Sequence, residues 1–244
     1  MKQLTLMGLA TVAFSWGNIL IPASLISSQN NVQATQPNKL QYRPFSKRGQ
    51  VKGSIPGGKR GACKDAVVQT GDKLVAIAPP DSIGASLSKT PTLWVYSPYT
   101  FPAEKFKQPI KGEFKVRQSS DAGGKVGESM MVDLPKKPGL VEVTITEPLK
   151  DGQSYSWSFS AKCGDASENP TVASKIEIAI DSKLIANSQS SSTQQKAASY
   201  AEKGYWYDAL TLTLQAKPNV KSDVESLLES GGLTELGSKL SNLN

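Results

Sequence analysis

Apolar residues recur at every second position in four stretches of this chain. Tyr155, Trp157 and Phe159 alternate with Ser154, Ser156, Ser158 and Ser160. Val141, Val143 and Ile145 alternate with Glu142, Thr144 and Thr146, and Phe114 and Val116 alternate with Glu113, Lys115 and Arg117. Ile176, Ile178 and Ile180 are set among Lys175, Glu177 and Asp181. Successive side chains of a strand point to opposite faces, so each stretch buries one face and wets the other. Residues 74–78 and 93–96 are apolar on both faces and read as more deeply buried strands, and residues 129–134 add a weaker candidate. Turn signals separate them: Pro79 and Pro80, Pro98, Asp121 to Gly124, Pro135 to Gly139, and Asp151 with Gly152. About seven short strands in this spacing predict a mainly β fold, an antiparallel, immunoglobulin-like β-sandwich. Leu149 to Tyr155 has the pattern of a tyrosine corner, in which the Tyr155 hydroxyl bonds back to the upstream backbone.

After Asp181 the period changes to that of helices. Asp181 is placed to cap a short helix at 182–186, and a serine-rich loop follows at 187–193. Further helices are expected at 194–203, stopped by Gly204, and at 205–216, before Pro218. Two more are expected at 223–229, capped by Ser222, and at 233–240, beyond Gly231 and Gly232. The stretch from Tyr200 to Leu210 resembles one tetratricopeptide helix turn, with Gly204 at the turn and Trp206, Ala209 and Leu210 between the helices. A binding array of that kind needs about three units. The helical tail at 182–244 is therefore expected to brace the sandwich, and Trp206 and Tyr207, if exposed, would suit a partner interface.

The chain has two cysteines, Cys63 and Cys163, and no histidine. Its first residues have the layout of a secretory signal peptide. Lys2 precedes an apolar stretch at 4–26, and Val32 and Ala34 are small residues placed for cleavage before Thr35. An uncleaved anchor is the rival reading, since residues 4–26 are long enough to span a bilayer, although Asn18 and Pro22 interrupt them. No later stretch reaches that length. Export to a periplasmic or extracellular space implies an oxidising compartment, where two cysteines pair in one way only.

The formal charge of +7 is concentrated in one place. Residues 35–62 carry Lys39, Arg43, Lys47, Arg48, Lys52, Lys59 and Arg60 and no acid, together with many glycines and prolines. That composition buries too little to offset its ordering entropy, so the segment reads as a flexible linker before a sandwich domain at 63–181. Its charge would suit an anionic envelope polymer. Nucleic acid is not expected, because only Tyr42 and Phe45 are present for stacking.

Without histidine there is no Ser–His or Cys–His catalysis and no ordinary zinc site, and no cofactor is expected. Gly53 to Lys59 matches phosphate-loop spacing, but Arg60 stands where a magnesium-binding hydroxyl belongs. Ser86 to Lys89 matches a Ser-x-x-Lys pattern without its partner motifs. Glu142 and Glu147 are the nearest thing to a glycosidase pair, and Glu142 lies on the wet face of a strand.

Several pieces follow one another in a particular order. Residues 57–63 run Gly57, Gly58, Lys59, Arg60, Gly61, Ala62, Cys63. After them come residues 74–79, Trp94 to Tyr96, Leu149 to Trp157, Cys163, and the Tyr205 to Leu210 helix. Together they resemble the exported, largely cyanobacterial family catalogued as domain of unknown function 928. The resemblance implies an envelope or extracellular location and supplies no catalytic residue. The expected function is a non-enzymatic envelope module that binds or scaffolds an envelope polymer or protein. The alternatives are a carbohydrate-binding module presenting Trp94, Tyr96 and Tyr99, and a carboxylate-dependent enzyme acting on envelope polysaccharide.

Overall fold

The computed structural model describes residues 39–45, 63–119, 124–164, 169–216 and 221–240. The expected leader at 1–34 and the phosphate-loop-like residues 53–60 lie outside them. The described residues form β1 (Val75–Ala76), β2 (Gly84–Ser86), β3 (Thr92–Ser97), β4 (Lys111–Gln118), β5 (Lys125–Asp133), β6 (Gly139–Thr144), β7 (Ser154–Lys162) and β8 (Thr171–Ile178). Five helices follow: α1 (Ser182–Asn187), α2 (Thr193–Glu202), α3 (Trp206–Gln215), α4 (Lys221–Ser230) and α5 (Thr234–Leu240). None of these helices is long and apolar enough to cross a membrane.

The strands form two sheets, one of order β1-β3-β6 and one of order β2-β8-β7-β4-β5. Every alternating stretch places its apolar side inward. Phe114 and Val116 of β4, Trp157 and Phe159 of β7, and Val172, Ile176 and Ile178 of β8 meet Leu93, Val95, Val141 and Val143 of the other sheet in one apolar core. Phe114 and Trp157 lie with ring centroids 5.7 Å apart. Gly112 is small for a reason: a Cβ there would come within 2.0 Å of the Phe159 ring.

One strand departs from the antiparallel expectation. β2 runs parallel to β8, with Gly84 opposite Ile176 and Ser86 opposite Ile178. Its Gly-Ala-Ser sequence has no β-branched residue to announce a strand. The small residues answer to packing instead, because a Cβ on Gly84 would lie 2.9 Å from the Tyr207 ring and 3.1 Å from Trp206 Cβ.

The helix boundaries follow their caps. The Asp181 carboxylate accepts the Leu184 N–H at 2.9 Å. Ser192 and Gln195 form a capping box at the start of α2. Gly204, at φ +85°, turns the chain from α2 into α3 in a conformation that favours glycine. Helix α3 contributes Trp206, Tyr207, Ala209 and Leu210 to the same apolar core as the two sheets, so no core boundary falls at residue 181.

Residues 39–45 correct the expectation of a flexible linker over 35–62, whose other members lie outside the described residues. Leu40 and Tyr42 are buried. The Tyr42 N–H donates to Ser230 Oγ at 2.8 Å, and the Arg43 N–H donates to the Ala201 carbonyl at 3.0 Å. Tyr42 meets the Trp206 ring edge-on at 5.0 Å, and Phe45 meets Tyr205 at 4.9 Å. Lys39 and Arg43 pair with Glu229 and Glu202 at 3.7 and 3.5 Å. Average composition hides these apolar positions, because the glycines and charges lie mostly further along.

Candidate functional site

Cys63 and Cys163 are joined, with their Cα atoms 5.2 Å apart across a sequence separation of 100. The bridge ties a residue ahead of β1 to the residue that follows β7. Beside it, Asn169 accepts the N–H groups of Cys163 and Gly164, each at 3.1 Å. Both sulfurs are committed to the fold.

The aromatic residues named as binding candidates are core residues. Trp206 and Tyr207 are 0% and 1% exposed, and Trp94 and Tyr96 are 6% and 4% exposed. Their polar tips have internal partners. The Trp206 indole N–H donates to the Ile77 carbonyl at 3.0 Å, and the Trp94 indole N–H donates to Thr211 Oγ1 at 3.0 Å. The Tyr207 hydroxyl donates to the Lys175 carbonyl at 2.8 Å and accepts the Trp157 indole N–H at 3.1 Å. Tyr99 is likewise buried, and that burial pushes its phenol up to about 12. The aromatic platform that the carbohydrate-binding alternative needs is therefore absent from these positions. The first turn of α3 packs against β2 and takes into the core aromatics that an open edge would display.

Two of the three chemical motifs, Ser86 to Lys89 and the Glu142 and Glu147 pair, fall among the described residues. The Ser86 hydroxyl is buried, donates to Asp208 Oδ1 at 3.3 Å and accepts the Ser88 N–H at 3.0 Å, while Lys89 is exposed. Asp208 also accepts the Leu87 N–H at 2.8 Å, so the first turn of α3 clamps the chain leaving β2. Burial pushes its carboxyl up to about 6, against these hydrogen bonds. Glu142 accepts a hydrogen bond from Gln215 at 2.9 Å, and Glu147 lies against Gly127. Among the described residues no group of three or more acidic or cysteine side chains is placed to hold a metal ion.

Two features were not legible in the sequence. One is a cavity of about 340 Å³ between β1, β8 and α5. Leu74, Val75, Val172, Leu233 and Leu236 make its apolar wall, and Lys73, Glu235 and the Lys239–Asp72 ion pair give it a polar rim. Its walls come from three distant segments, so no local pattern announces it.

The other is the wet face of the five-stranded sheet. Ser154, Ser156, Ser158 and Ser160 run down its middle on β7. Lys111, Glu113, Lys115 and Arg117 flank them on β4, and Thr171, Lys175 and Glu177 flank them on β8. Glu113 is held between Lys115 at 2.8 Å and Lys162 at 2.6 Å. These two ammonium groups pull its carboxyl down to about 2. Lys111 pairs with Asp133 at 2.6 Å. The face is polar, with cations in the majority, and no aromatic ring stands on it at these positions. Alternation in the sequence marked these residues as wet. Which of them stand side by side depends on register, which the sequence does not state.

No curated protein and no solved structure matches the chain. A family model described as Domain of Unknown Function (DUF928) matches residues 55–240. That match covers well over half of the chain, from just ahead of Cys63 to the end of α5, and the chain belongs to the DUF928 family.

Proposed function

We propose that this chain is an exported, non-enzymatic binding module of the cell envelope, built on an immunoglobulin-like sandwich that its helices brace. In this reading the wet face of the five-stranded sheet is the binding surface. The observation that carries it is the division of side chains on β7. Its aromatics are spent in the core, and its half-buried serines line the outer face, with Lys115, Arg117 and Lys175 beside the middle two and Glu113 and Glu177 beside the end ones. Export draws support from the leader pattern and from the joined cysteines, since disulfides persist in oxidising compartments. The absence of catalysis draws support from Ser86 and Asp208, which satisfy one another in a structural clamp. The basic residues between 46 and 62 add a second attraction toward anionic polymer in the same compartment.

Co-sedimentation with envelope isolated from the source organism tests the proposal. The disulfide-intact protein, lacking residues 1–34, is expected to pellet with envelope at low salt. It is expected to be released at about 0.5 M salt, where exposed charges are screened within a few ångström. Recovery of all the protein in the supernatant at low salt would overturn the proposal.

A further inference from the structure

Four positions stand directly opposite one another across the wet face. Lys125 of β5 faces Arg117 of β4, Arg117 faces Ser156 of β7, and Ser156 faces Lys175 of β8. With strands about 4.8 Å apart, the row is about 14 Å long. Lys115 and Ser158, themselves opposite one another, lie one step along the same two strands.

This arrangement costs stability. Like charges directly opposite on neighbouring strands repel, and Lys125 and Arg117 are such a pair. Lys125 leans away to Glu128 at 2.9 Å. Arg117 and Lys175 make no ion pair with any described residue. They flank the Ser156 hydroxyl from both sides, about 10 Å apart at the backbone. Two long cationic side chains at that separation can close on one anionic group above a hydroxyl donor. The arginine fork suits a planar carboxylate or a sulfate.

We propose that the Lys125–Arg117–Ser156–Lys175 row binds an acidic polysaccharide. An acidic group of the polymer sits between Arg117 and Lys175 over Ser156. Sugar hydroxyls on either side of it bond to Ser154 and Ser158. This rests on the reading of the wet face as the binding surface. The serine ladder favours a hydroxyl-rich ligand. The row offers no aromatic ring for base stacking, which single-stranded nucleic acid would use. It has no apolar side chain to enter a bilayer, and the exposed Met131 of β5 lies opposite Glu113, away from the row.

The test uses the disulfide-intact chain lacking residues 1–34 and four immobilised probes: polygalacturonate, dextran sulfate, neutral dextran and anionic phospholipid vesicles. Wild type is expected to bind at least one of the two acidic polysaccharides and not neutral dextran. The first two probes separate carboxylate from sulfate. The Arg117→Ser, Lys175→Ser double variant is expected to bind at least tenfold more weakly with a melting temperature no lower than wild type, since neither residue is buried and the change relieves the Lys125–Arg117 repulsion. Glu113→Gln is expected to bind more tightly, because it frees Lys115 and Lys162. Equal binding by wild type and the double variant would overturn the row, as would a preference for vesicles over both acidic polysaccharides. Envelope co-sedimentation separates this inference from the reading beneath it. Undiminished pelleting of the double variant removes the row and leaves the envelope role standing. Failure of wild type to pellet removes the envelope role, whatever polygalacturonate does.

Discussion

Tyr155 lies on the inner side of β7, yet its hydroxyl reaches back to accept the Lys150 N–H at 2.9 Å. The bond fixes the turn through Asp151 and Gly152 that leads into the strand. Lys150 is exposed, so water replaces the lost acceptor in a phenylalanine variant. Tyr155→Phe is therefore expected to cost about 1 kcal/mol, the net worth of an ordinary hydrogen bond, in urea unfolding. A shift within error would show that the turn holds itself. Asp208 makes a different prediction. Burial raises its carboxyl from 3.8 to about 6, so the folded chain keeps a proton that the unfolded chain releases earlier. By linkage, the stabilisation from that proton is complete below pH 3.8 and is lost as the pH rises through about 6. Asp208→Asn cannot titrate and keeps an oxygen for the Leu87 N–H. The variant should gain on wild type through that window and no further above it. Other titrating groups cancel in the difference. A stability difference that stays flat from acid to neutral pH would sink the assignment.

At the scale of elements, the junction of the α4–α5 turn with the start of α3 depends on a missing side chain. A Cβ on Gly231 would lie 2.3 Å from the six-membered ring of Trp206. That ring cannot easily yield, because it is fully buried, held by the Ile77 carbonyl and faced edge-on by Tyr42. Gly231→Ala is expected to cost about 1–3 kcal/mol as an overpacked site. Gly124→Ala, with nothing near its Cβ, should stay within about 0.5 kcal/mol of wild type. Equal melting temperatures for the two variants would contradict the packing. The same junction shows what was legible and what was not. Strands β4, β6, β7 and β8 were legible because each buries one face and so carries its alternation in its own residues. Strand β2 was not, since Ala85 and Ser86 are not β-branched and Gly84 is small to accommodate Trp206 and Tyr207, residues more than a hundred positions away. Those two aromatics stayed open between helix packing and a partner interface for the converse reason: a helix start does not reveal what edge it will plug. The Lys125–Arg117–Ser156–Lys175 row was hidden twice. It needs the register of four strands, and it needs the irregularity between Phe114 and Val116 that sets how β5 meets β4.

In the whole molecule, two ties join segments far apart in sequence. Residues 39–45 lie against α2, α3 and α4 through Ala201, Trp206 and Ser230. Cys63 is bonded to Cys163, the residue after β7. Between Cys63 and Cys163 lie all of β1 to β7, so the bridge closes a loop of 100 residues. The chain-entropy model gives such a loop about 4.7 kcal/mol. For a chain of this size, where about 1 kcal/mol moves the melting temperature by 2–4 °C, reduction should lower it by about 10–20 °C. Trp206 and Tyr207 share a core with Trp157 and Phe114, so the loss should not be confined to the sheets. Tryptophan fluorescence and helical circular dichroism are expected to fall together, at the same lowered temperature, after reduction and alkylation. A helical signal that melts at its original temperature while fluorescence moves would mean that α2 to α5 fold on their own core. The bridge would then stabilise the sheets alone, and the wet face of the five-stranded sheet would be held by fewer contacts than the shared core implies.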